Sequence, residues 1–147
     1  MTGESTNQAK SETEELLNVV LPLAEELLAK HGEFFPFGAT MNRQGGVSHV
    51  AGYTGLEQPP SAELITLIKS AFRKGAQDGE YRATALAYDV RVRSQTVDEK
   101  IDAVAVDLDH MDMYSVIVYF PYKIHNGRVE LGSPFAQQGS GNVFGMQ

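Results

Sequence analysis

Three runs decide the fold: YRATALAYDVRVR at residues 81–93, KIDAVAVDLD at 100–109 and MYSVIVYFPYK at 113–123. In each, apolar residues recur at alternate positions, which is the signature of a strand with one buried face. Leu86, Tyr88, Val90 and Val92 share one face of the first run. Val104, Val106 and Leu108 do so in the second, and Tyr114, Val116, Val118, Phe120 and Tyr122 in the third. All are even-numbered, so pairing Leu86 with Leu108 and Leu108 with Tyr114 keeps one parity across both hairpins. A slip of one residue would turn a whole apolar row into water. The second hairpin then closes over His110, Met111 and Asp112.

The opposite face carries Ala83, Ala85, Ala87, Asp89 and Arg91, then Ala103, Ala105, Asp107 and Asp109, then Ser115, Ile117 and Tyr119. Small and charged residues dominate it. An antiparallel sheet can leave one face wet, and the alanines would let another element or a second subunit approach closely.

Outward from this meander, the rest of the chain reads as helices and short strands. Residues 1–10 are polar and unpatterned, and read as a flexible tail. Ser11 and Glu14 have capping-box spacing, and Leu16, Leu17, Val20, Leu21, Ala24, Leu27 and Leu28 follow at helical period. Pro22 inside that stripe predicts a kink or a break, and Gly32 a stop. Phe35, Phe37, Ala39 and Met41 then alternate, as do Val47, His49, Ala51 and Tyr53, around the turn at residues 42–46. Residues 55–60 read as a loop. Ser61 caps a second helix with Leu64, Leu67, Ile68, Ala71, Phe72 and Gly75 on one side, and residues 78–79 end it. After the meander, Asn126-Gly127 is a hairpin signal, with residues 129–131 as a short further strand.

The fold class is therefore α+β: two helices covering an antiparallel sheet of about five strands, in the order α-β-β-α-β-β-β. In element order it resembles the profilin-like and roadblock-like arrangements, and that resemblance implies dimerisation, sensing or scaffolding rather than one chemistry. The domain spans residues 11–135, with a Gly- and Gln-rich tail over 136–147. At 147 residues the chain suits one domain with a core of its own.

Composition excludes several functions. With no Cys there is no disulfide, thiolate metal site or Cys nucleophile. A net charge of −7 argues against nucleic-acid binding, which depends on neutralising phosphates, and suits a basic partner. The first residues lack a basic region and an apolar core, no apolar run approaches a membrane span, and a cytoplasmic location is expected. There is no nucleophile elbow or P-loop, and the spacing of Gly139, Gly141 and Gly145 is one residue too long for a dinucleotide fingerprint. No catalytic residue and no cofactor is expected.

Two groups remain as candidate sites. Asp107, Asp109 and His110 form the densest polar cluster, of a kind that can hold a hard cation or that simply marks a solvated turn. Asp89 and Arg91, with Ile117 and Tyr119, are the candidate interface on the outer face, where exposed Tyr and Ile would mark a contact patch. The expected function is a non-enzymatic protein acting through protein–protein contact, by self-association as a homodimer or as an inhibitor or immunity-type partner. The alternative is a small-ligand or divalent-metal-binding protein using the acidic cluster.

Overall fold

The computed structural model describes residues 2–51, 61–93 and 99–145, with side chains from Asn7 onward. Two helices and seven strands follow one another as α1 (Thr2–His31), β1 (Phe37–Asn42), β2 (Val47–Ala51), α2 (Ser61–Gln77), β3 (Tyr81–Arg93), β4 (Lys100–His110), β5 (Tyr114–His125), β6 (Arg128–Leu131) and β7 (Phe135–Gln138). The class is α+β, with an antiparallel sheet in the order β2-β1-β3-β4-β5. β6 and β7 pair in succession with the remaining edge of β5, so they act as one strand bent at residues 132–134. The loop at residues 55–60 and the end of the second short strand, including Tyr53, lie outside the described residues.

Local chemistry explains the boundaries. The α1 helix ends where Gly32 takes φ of 77° and its N–H reaches the Leu28 carbonyl at 2.8 Å, a left-handed stop open to glycine. Asn126 and Gly127 both take positive φ, which makes the two-residue turn between β5 and β6. Asn42 closes the β1–β2 hairpin by accepting from the amides of Gln44 and Gly46 through Oδ1.

Among the described residues, regular structure reaches further toward both ends than composition predicts. The α1 helix starts at Thr2, well before the capping box read at Ser11, and runs unbroken through Pro22. Ala9 is buried, and Thr13 Oγ1 donates back to its carbonyl at 2.9 Å, so this stretch belongs to the core helix. At the other end, residues 135–138 form β7 and Val143 is buried.

The register differs from the expected one by a single residue, and the difference reorganises the core. Ala85 pairs with Leu108, and Leu86 with Asp107. Odd residues of β3 therefore share a face with even residues of β4. From β4 to β5 parity is kept but the pairing moves two residues from the expected Leu108–Tyr114: Leu108 faces Val116 and His110 faces Tyr114, and the loop is residues 111–113. Ala83, Ala85 and Ala87 lie with Val104, Val106 and Leu108 beneath Leu16, Val20, Ala24 and Leu28 of α1. Leu86 lies on the opposite side, against Ile68 and Phe72 of α2.

The two helices cover opposite faces, so the centre of the sheet is sealed on both sides. All five alanines are fully buried, which overturns the reading of an open small-residue face. The physical reason is direct. Alternation names an inward face only when the other face is wet, and here neither is. The β3 alanines give α1 a close approach. On the α2 side, Gly38 does the same work: a Cβ there would collide with the Ala85 carbonyl and come within 2.8 Å of Phe72 Cζ.

Candidate functional site

The α2 side of the sheet carries a row of polar residues at the end where β4 turns into β5. Thr84, Asp109 and Ser115 face one another across β3, β4 and β5. Ser115 Oγ donates to Asp109 Oδ1 at 2.8 Å and accepts from the Gly141 amide at 3.1 Å. One strand pair along, Asp107 Oδ1 accepts from Tyr88 OH at 2.8 Å, and its Oδ2 lies 3.3 Å from Lys69 Nζ on α2. Both carboxylates are buried.

Electrostatics separates the members of this row. Burial pushes the Asp109 carboxyl up to about 6; the Ser115 hydrogen bond opposes the shift and the charge of Asp107 adds to it. Tyr88 is pushed up as well, first by burial and then by the Asp107 charge and hydrogen bond. Thr84 Oγ1, across from Asp109, is buried without a hydrogen-bond partner among the described residues.

His110 points the other way. It is fully buried on the α1 side, where Nε2 lies 2.6 Å from Glu12 Oε1. The Asp112 amide donates to Nδ1 at 3.1 Å, so the ring proton belongs on Nε2, facing the carboxylate. Arg82 completes the cluster, with Nη1 3.1 Å from Glu12 Oε2. A bulge delivers it: Met41 pairs with Ala83 but Asn42 with Tyr81, so Arg82 is the extra residue on β3. With both ring nitrogens engaged by the chain itself, His110 reads as a rivet between α1 and the β4–β5 hairpin.

The metal candidates are therefore divided between two faces. Asp107 and Asp109 lie on the α2 side and His110 on the α1 side, and no group of three or more His, Cys, Asp or Glu among the described residues could hold a metal ion. The interface candidates divide in the same way. Asp89 sits on the α1 side, where Oδ1 accepts from Tyr122 OH at 2.7 Å. Burial pushes its carboxyl up, and that hydrogen bond pulls it back. Arg91 is exposed, its Nε 3.6 Å from Asp102 Oδ1. Ile117 and Tyr119 lie on the α2 side with Asp107.

Ile117 and Tyr119 stand on the α2-side face beyond the strands that α2 mainly packs on. The α2 helix packs chiefly on β3 and β1 and reaches β4 through Lys69, which leaves β5 and β7 beside it. There Tyr119 and Phe135 stack, centroids 5.1 Å apart and planes 23° from parallel. Tyr88, Val90, Ile117, Tyr119 and Phe135 are all partly exposed on this surface. Sequence reasoning assigned Tyr119 to the patch but not Phe135, because residues 135–138 lack the alternation that marks a strand. Glu12 and Arg82 were likewise missed, since nothing local announces a bulge or the partner of a helix carboxylate.

At the far margin of the same face, residues 139–145 cross from β7 to α2. A cavity of about 490 Å³ lies between this segment and α2, lined by Arg73, Ala76, Gln77, Asn142, Val143 and Phe144 among others. Compared with protein-family models, curated proteins and solved structures, the chain has no match. No helix among the described residues is long and apolar enough to cross a membrane.

Proposed function

We propose that this chain is a non-enzymatic interaction domain that works through protein–protein contact, in the first instance by self-association. One observation carries the reading: the stacked Tyr119–Phe135 pair lies partly exposed beside Ile117, on the α2-side face of β5 and β7, beyond the strands that α2 mainly packs on. Aromatic residues on a flat apolar surface are the usual anchors of an interface core. A two-fold contact uses the same patch on both copies, so a surface of this kind can meet itself.

The test is the oligomeric state. Light scattering should give a dimer mass for the wild type and a monomer mass for Tyr119→Asp, which places a charge at the centre of the patch. Equal masses for the two proteins, with the variant folded by circular dichroism, would sink the reading.

A second reading, binding of a small ligand, is supported by Asp109. Its carboxyl is buried with a hydroxyl as its hydrogen-bond partner. Thermal-shift screening with small metabolites should then raise the unfolding temperature of the wild type but not of Asp109→Asn. An equal response in both, or none in either, removes this reading.

A further inference from the structure

Residues 139–145 lie in a groove between α2 and the sheet, and their hold there is slight. Gly139 N donates to the Ser115 carbonyl at 3.1 Å, Gly141 N reaches Ser115 Oγ at 3.1 Å, and Arg73 Nε donates to the Asn142 carbonyl at 3.3 Å. Val143 is the buried anchor, 6 % exposed against Ile68, Phe72 and Leu86. A Cβ on Gly139 would collide with Ser115 Oγ, so the chain enters the groove beside Ser115 where a side chain is missing. Apart from Val143, the segment borders an open cavity on its α2 side.

The supports of this segment are equally light. β7, which leads into it, is a four-residue edge strand with three exposed residues, preceded by Gly132, Ser133 and Pro134 outside any strand. Leaving the groove therefore uncovers one apolar pocket and frees few bonds. The vacated groove would then match one chemistry in particular, a Gly-x-Gly-polar-Val sequence entering beside Ser115. Every copy of the chain carries that sequence. Phe135, in the proposed contact patch, is only four residues before Gly139, so a two-fold contact through the patch brings the segment of each copy to the margin of the shared surface.

We propose that residues 139–145 are exchanged between copies, the segment of one chain sitting in the α2 groove of the other. The inference rests on the self-association reading. It explains why the buried anchor lies at the end of a lightly held strand. Exchange of an identical element reuses the contacts each chain already makes and closes the pair, so it is a low-cost route to a dimer. Intramolecular docking competes at high effective concentration, and contact through the aromatic patch raises the intermolecular alternative to the same range.

The chain has no Cys, so single cysteines report the exchange without background. Ile68→Cys and Val143→Cys chains are mixed, refolded together and oxidised. The expected product is a disulfide-linked dimer with one chain of each kind, identified by mass, and lost when both carry Tyr119→Asp. Arg73→Cys with Asn142→Cys is a surface pair for the same groove, should the buried pair impair folding. A chain bearing both cysteines that closes only on itself at every concentration, with no mixed dimer from single-cysteine chains, overturns the proposal. Light scattering on the same samples separates the two ideas. A dimer without the mixed disulfide overturns exchange alone, whereas a monomer overturns exchange and self-association together.

Discussion

Replacing Asp109 by Asn should stabilise the protein at neutral pH, and the size of the effect follows from where the carboxyl sits. Asp109 is 7 % exposed and its pKa rises from 3.8 to about 6, chiefly because burial disfavours the charged form. A shift of about two units is worth about 3 kcal/mol. Below pH ~4 the carboxyl is protonated in the folded and unfolded chains alike. Between pH ~4 and ~6 the unfolded chain ionises while the folded one keeps its proton, so stability from this group is lost as pH rises. Above ~6 the full penalty stands. An Asn can still accept from Ser115 through Oδ1, but Thr84 Oγ1 makes no hydrogen bond to the Asp109 side chain, so the new N–H₂ inherits no partner there. An imperfectly bonded amide would offset part of the gain, leaving about 1–3 kcal/mol at pH 8. For a chain of this size that is a rise of roughly 3–10 °C in Tm. Thermal unfolding of both proteins from pH 4 to pH 8 is the assay, read as the difference between them, because other carboxylates titrate in the same window. An Asn variant less stable than wild type at pH 8, or an advantage equal at pH 4 and pH 8, would refute the claim that desolvation outweighs the Ser115 hydrogen bond.

Two further substitutions probe the α2 side. Gly38→Ala puts a methyl into the Ala85 carbonyl and within 2.8 Å of Phe72 Cζ, and should destabilise by about 1–3 kcal/mol, seen as a lower urea midpoint; an unchanged midpoint would show that β1 and β3 can spread. Thr84→Val keeps the shape and deletes a buried hydroxyl with no partner, so it should be neutral or stabilising by up to ~1 kcal/mol; a loss of that size in chemical denaturation would show that the hydroxyl is bonded.

Helices and turns were legible because their signals are local. The stripe of α2 survives as Leu64, Ile68, Phe72 and Gly75, and Gly32 and Asn126-Gly127 do what their chemistry predicts. The β3–β4 pairing was not legible. Its parity depends on which helix lies on which face, and the hydrophobic pattern of β3 offers Leu86, Tyr88 and Val90 as readily as three alanines. Only packing against α1 decides that the small residues belong to the larger core. The same limit applied to the sites. Asp107 and Asp109 share one face of β4, as two residues apart on a strand must. His110, the next residue along, had to point away, and its partner Glu12 lies 98 positions earlier in the chain.

The position of α1 has a consequence for biosynthesis. The helix precedes every strand it covers, and its buried stripe needs Val104, Val106 and Leu108 on β4. At ~5–20 residues per second a ribosome takes on the order of 4–15 s to travel from the end of α1 to the end of β4. For that interval an apolar helix waits for its sheet, so nascent chains stalled before β4 should be the species that chaperones hold.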